Sequence, residues 1–214
     1  MSRTFEVKMH SGSPEILMYA EFGDLYRDGV TALEFRKLLS DIGPAREMTV
    51  RLHSQGGDPF EAAAMYGELK RHPARITMQI DGLAASSASY FAMAGDEIRI
   101  ADTGHMMIHE PQSRVDGRAA ELESRAAMLR SLMGTVVETY AKRSGRSPAE
   151  VEAMMAKETW MSARESVAMG FADAVVEGPR IKMAVDMGRF LKTPQRLLSS
   201  CTIPEYRKRL AAFQ

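Results

Sequence analysis

The chain has one cysteine, Cys201, in 214 residues, so no internal disulfide can form and the usage fits a reducing compartment. No apolar run approaches the roughly 18 residues of a membrane span. The N-terminal MSRTFEVKMHSGSPE lacks the apolar core of an export signal, and a cytoplasmic location is expected. An excess charge of one sign is also missing. With 28 Lys and Arg against 28 Asp and Glu, no global field draws in nucleic acid or an anionic membrane. There is no Gly-x-x-x-x-Gly-Lys-Ser/Thr and no Gly-x-Gly-x-x-Gly, so ATP hydrolysis is not expected of this chain. Nor is there a Gly-x-Ser-x-Gly elbow of the α/β-hydrolase kind. Without a cysteine pair or an EF-hand spacing, no zinc or calcium site and no cofactor are expected.

What is present is an ordinary globular composition, 45% hydrophobic and 26% charged, long enough for one domain. Residues 1–178 read as that domain. Residues 179–214 read as a tail with eight Lys or Arg against Asp186 and Glu205, a net of +6; it is expected to be partly helical or disordered, a solvated end or a dock for an acidic partner.

Periodicity gives an alternating order. Strand-like ILMYAEF is followed by Thr31-Ala-Leu-Glu34, which has capping-box spacing for a helix that ends at Gly43-Pro44. MTVRLHS is the next strand, and Asp58-Pro59-Phe60-Glu61 starts a helix that runs to about His72. ITMQI then leads into DGLAASSAS. DEIRIAD and HMMIHEP read as two short strands, and residues 117–143 as a helix of about seven turns. That helix is too long for a small core to cover, so part of it should project and meet another subunit. Helix starts at Ser147-Pro148 and Ser162-Ala163 and a strand at FADAVVE complete the pattern. Such alternation predicts an α/β fold with a mainly parallel sheet, whose reaction sites tend to lie at the carboxyl ends of strands.

Two segments sit at such ends. In DGLAASSAS, a hydroxyl at Ser86 would stand at a helix start among small neighbours, with the Ser87 N–H beside it. Gly56-Gly57 follows a strand directly, and bare amides there could serve as an oxyanion hole. A third candidate is His109, at the end of the apolar run MMIH, as a general base. His53 and His105 also lie near strand ends, and position along the chain does not choose among the three. His10 and His72 read as surface residues.

The order strand, Ser-x-Gly-Gly, helix, strand, Gly-x-Ala-Ala-Ser, helix, Met-Ile-His-x-Pro resembles the ClpP-type serine peptidases. SQGGDPFEAAAMYGELKRH, DGLAASSASYFAMAGDEI, MMIHEP and ETWMSARESVAMGFAD are similar to the ClpP-related head maturation (prohead) proteases of tailed phages and prophages. The likeness spans about residues 14–178.

The resemblance implies a crotonase-like β/α spiral core, with Ser86 as nucleophile, His109 as base and the amides of Gly57 and Ser87 as oxyanion hole. The family has an aspartate shortly before the aromatic residue that precedes the Ser-Ala helix. Here Ala156-Lys157-Glu158-Thr159-Trp160 puts Glu158 at that place, with Glu110 and Asp173 as substitutes. It also implies rings of subunits stacked through the helix from Gly117, and a protein or peptide substrate of capsid or scaffold type. Processing without a Clp-type unfoldase is expected. The alternatives are a catalytically inactive ClpP-like assembly subunit and a crotonase-type acyl-CoA enzyme.

Overall fold

The computed structural model describes residues 4–10, 12–23, 29–112, 115–178, 190–195 and 197. Most of the tail lies outside them, Cys201 included.

Among the described residues, eight strands form one sheet. β1 (Thr4–His10) and β2 (Ser13–Tyr19) make an antiparallel hairpin at its edge. β2, β3 (Glu47–Ser54), β4 (Arg75–Ala85), β5 (Glu97–Ala101) and β8 (Ala174–Val176) then follow in parallel. β4 is the axis of the fold. Its first half, Thr77–Ile80, pairs with β5, whereas Leu83–Ala85 pairs with β6 (His105–Ile108). β6 in turn pairs antiparallel with β7 (Thr159–Ser162). A register shift between Leu52 and Ser54 on β3 marks the same point. One long strand thus serves two sets of neighbours, and the second set carries the site.

The helices follow their sequence signals. Thr31 and Glu34 close a capping box on α1 (Ala32–Ile42). Asp58 caps α2 (Pro59–Arg71), with proline at the first helical position. α3 (Ser87–Ala92) is short and wholly buried. α4 (Ala119–Ser144) spans 26 residues, and α5 (Pro148–Ala156) and α6 (Ala163–Ala168) each begin with a Ser/Glu capping box. Phe91 of α3 meets Phe22 and Phe35 edge-on at 5.4 and 5.6 Å. Such pairs are worth about 1 kcal/mol each beyond area burial, and they seat α3 under α1 and the end of β2.

The expected α/β architecture and the long helix are present, with two elements added. β1 was not legible because its outer residues, Val7 and Met9, meet no core. β7 is only four residues long. The buried side chains of α4 are Leu132, Val136, Val137 and Tyr140, all in its second half.

Candidate active site

β4 runs without a loop into Ser86, which is the N-cap of α3 but makes no side-chain capping bond. Its backbone has φ 56° and ψ −131°, a region that residues with a β-carbon seldom occupy. The strain is held from outside. The Ser86 N–H donates to Met107 O at 2.9 Å, and Ser89 Oγ reaches Ser86 O at 2.6 Å, Met107 O at 2.9 Å and Tyr140 Oη at 2.7 Å. Ser89, the third serine of DGLAASSAS, is thus a buried tie between α3, β6 and α4. The first is left with a hydroxyl that caps nothing.

That hydroxyl lies 2.7 Å from His109 Nε2. His109 leaves the end of β6, whose pairing with Leu83–Ala85 brings it beside the end of β4. Distance in sequence therefore hid a choice that the sheet makes. His105 enters β6 with Nδ1 3.1 Å from Thr103 O, and His53 is buried on β3 against Tyr19. His105 and His109 are four residues apart, but along a strand that spacing spreads them over about 13 Å. Among the described residues, no cluster of three or more His, Cys, Asp or Glu could hold a metal.

The glycine pair packs on the same spot. A β-carbon on Gly56 would lie 2.7 Å from Ala85 O, 2.9 Å from Ser87 Oγ and 3.0 Å from Ser86 Cβ. Only glycine lets the chain approach the serine so closely. Gly57 forms a parallel bridge with Phe22, and Phe22 N–H donates to Gly56 O at 3.0 Å while Asp58 N–H donates to Phe22 O at 2.8 Å. Among the described residues, the Gly57 amide has no acceptor. Ser87, the first residue of α3, has an N–H with no acceptor within the helix, and its hydroxyl donates to Gly57 O at 3.2 Å. Hydroxyl, imidazole and two amides are thereby gathered at one end of β4.

The acid is placed differently. Glu158 lies next to the β6–β7 ladder, but its carboxylate accepts from Trp160 Nε1 at 3.2 Å, Leu191 N at 2.9 Å and Lys192 N at 2.7 Å. It makes no hydrogen bond to His109. The two substitutes have other surroundings. Asp173 accepts from Ile98 N and from Arg143, and Glu110 is exposed. The Gln112 amide nitrogen is 3.3 Å from His109 Nδ1; an N–H donor at that atom favours the tautomer protonated on Nε2, facing Ser86. Sequence reading missed Gln112, Trp160 and Phe190. Phe190 meets its partners Trp160 and His109 from a distant part of the chain, whereas Gln112 lies only three residues from His109 and carried no signal of its own.

A second polar group lies beneath β3 and β4. Arg51 holds Asp81 through two bonds of 2.6 and 2.7 Å, and Tyr19 Oη donates to Asp81 at 2.5 Å. Burial, with the Asp81 carboxylate next to it, pushes the Tyr19 phenol up to about 12. Burial pulls His53 down to about 4, and among the described residues neither of its ring nitrogens has a hydrogen-bond partner. A β-carbon on Gly82 would lie 2.7 Å from His53 Nδ1, so β4 passes over this ring at a glycine.

A family profile described as Clp protease matches residues 24–179. The chain is 28% identical over 159 residues to the ATP-dependent Clp protease proteolytic subunit 1 of Protochlamydia amoebophila, covering 72% of this chain and 77% of that one. It is 26% identical over 140 residues to the ATP-dependent Clp protease proteolytic subunit of Bacteroides fragilis, covering 64% and 68%. To the corresponding subunit 2 of Corynebacterium diphtheriae it is 27% identical over 142 residues, covering 65% and 71%.

Proposed function

Because the chain belongs to the Clp protease family, we propose that it is a serine endopeptidase with Ser86 as nucleophile and His109 as base. The observation that carries this is the 2.7 Å contact between Ser86 Oγ and His109 Nε2 on a strained turn. In the reaction, Ser86 Oγ adds to the peptide carbonyl carbon as its proton passes to Nε2. The Gly57 and Ser87 amides receive the negative oxygen. His109 then returns that proton to the leaving amine as the C–N bond breaks, and water, activated by the same imidazole, releases the acyl-enzyme and restores Ser86.

Glu158 is the acid we assign to the triad. Ile108 pairs with Thr159 at the end of the β6–β7 ladder, and His109 and Glu158 are the next residues on the two chains, which supports this assignment.

The substrate we infer is a capsid or scaffold protein trimmed during phage head maturation, in the host cytoplasm or procapsid, without a Clp-type unfoldase. The motifs around Gly57, Ser86, His109 and Glu158-Thr159-Trp160 support that narrower reading. Among the described residues, no helix is long and apolar enough to cross a membrane. Self-association through α4 belongs to the same reading, since Leu122 in its first half is 41% exposed.

The test is cleavage of an unfolded protein and of the capsid or scaffold protein encoded beside this gene. Cleavage of the neighbour's product without ATP supports the whole reading. Cleavage only with a co-purifying hexameric ATPase rejects ATP-independent processing. No cleavage of either, with CoA-thioester binding by calorimetry, points to the acyl-CoA alternative.

A further inference from the structure

Phe190, Leu191, Lys192 and Leu197 lie at this site. Phe190 is 8% exposed, and its ring meets the His109 imidazole edge-on at 6.0 Å and the Trp160 indole at 5.4 Å. Leu197, 6% exposed, enters the same apolar cluster with Leu83, Ala85 and Met107. Leu83 and Ala85 belong to the end of β4 that delivers Ser86, and Met107 is the register partner of Ala85. Phe190 and Leu197 therefore fill the apolar ground beside the serine and histidine.

Between those two anchors the backbone takes hold of Glu158. The N–H groups of Leu191 and Lys192 both donate to its carboxylate, at 2.9 and 2.7 Å. Amide bonds to a carboxylate are of the stronger, charge-assisted kind. Main chain does the holding, because the Leu191 side chain is 85% exposed. Glu158 itself has φ 52°, a conformation that a residue with a β-carbon keeps only when its surroundings impose it. Here the imposed conformation turns an acid next to the histidine toward the tail.

Resting on the assignment of Ser86 and His109 as catalytic, we propose that Phe190, Leu191, Lys192 and Leu197 form an autoinhibitory latch. Phe190 covers the imidazole and fills the apolar pocket, while the amides of Leu191 and Lys192 keep Glu158 off His109. An apolar stretch of polypeptide substrate competes with Phe190 for the pocket. As the segment lifts, Glu158 turns to His109 Nδ1 and draws the ring proton to that side, which leaves Nε2 able to accept the proton of Ser86.

The test uses the full chain and two changes in the latch, Phe190→Ala and Lys192→Pro, each with and without Glu158→Gln. Lys192 is exposed, so its replacement by proline removes one amide donor without emptying the core. Two readouts are taken: the rate at which a fluorophosphonate labels Ser86, and the emission of Trp160, the one tryptophan of the chain. An orienting acid in such a triad is worth up to about 10⁴ in rate. A latch closed at least nine-tenths of the time then gives a labelling gain of about tenfold or more on release. The expected result is that gain in both variants, a red shift of Trp160 emission, and loss of the gain but not of the shift when Glu158→Gln is added.

Labelling at or below the wild-type rate in folded Lys192→Pro overturns the latch, as does a gain that survives Glu158→Gln. If Ser86 labels equally in every chain, the peptidase reading stands and the latch falls. If Ser86 labels in none, both fall. Thermal melts identify a variant that has not folded, and Lys192→Pro then decides.

Discussion

Replacing Gly57 by alanine should separate the rate of the reaction from the stability of the fold. Gly57 has φ 151°, and a β-carbon there would sit 2.2 Å from Phe22 O and 2.6 Å from Phe22 N. Both are main-chain atoms of the bridge that fastens this turn, so neither can swing aside. Restoring ordinary contact requires the turn to move by about 1 Å, a displacement that costs about 10²-fold at a reacting centre. Loss of an oxyanion donor costs about 10²- to 10³-fold in kcat, and the two descriptions concern the same amide. The expected fall in kcat is therefore about 10²- to 10³-fold, with little change in KM. Backbone strain of about 1 kcal/mol and one or two weakened bridge bonds of about 1 kcal/mol each should lower stability by about 2–3 kcal/mol. Gly145→Ala is the control: its φ is 71° and a β-carbon there meets nothing within 4 Å, so it should cost about 1 kcal/mol and leave kcat unchanged. Peptide hydrolysis and urea unfolding of the three chains measure both quantities. A Gly57→Ala chain that keeps kcat within about threefold of wild type would refute the placement of an oxyanion donor in this turn.

Three further outcomes concern the scaffold. His53, pulled down by burial to about 4 from 6.5, is protonated in the unfolded chain before the folded one; stability is full above about pH 6.5 and falls by about 3 kcal/mol as pH drops to about 4. Urea midpoints over that range should show the slope, and His53→Leu should flatten it; identical slopes in both chains would remove His53 as the cause. Ser89→Ala leaves the buried Tyr140 hydroxyl without its 2.7 Å partner and should cost about 2 kcal/mol, against about 1 kcal/mol for Tyr140→Phe; a reversed order in thermal melts would contradict the network. Arg51→Met strips the double contact from the buried Asp81 carboxylate and should cost about 3 kcal/mol at neutral pH, which chemical denaturation would detect; a neutral effect would mean that Tyr19 alone holds the acid.

Much of the helical framework was legible because its signals are local. The boxes at Thr31/Glu34, Ser147/Glu150 and Ser162/Glu165 and the Asp58-Pro59 start each act within four residues, and all four form in the structure. β1 and β7 carried weaker signals, one lacking a buried face and the other too short for alternation to register. Ser86 and Gly57 could be proposed because small residues at strand ends are a local anomaly. The choice of His109 over His53 and His105 was not local, since it depends on β6 pairing with the second half of β4 rather than with β5. Glu158 shows a further limit. It directly precedes β7, whose pairing with β6 is a matter of register, whereas the bonds of its carboxylate depend on residues more than thirty positions away in sequence.

The assignment of Ser86 as nucleophile is tested most directly by intact mass and peptide mapping after treatment with a fluorophosphonate. One phosphonyl group on Ser86 in the wild-type chain and none in Ser86→Ala is the expected result. An equal adduct on both chains, or a wild-type adduct mapped to another residue, would contradict it.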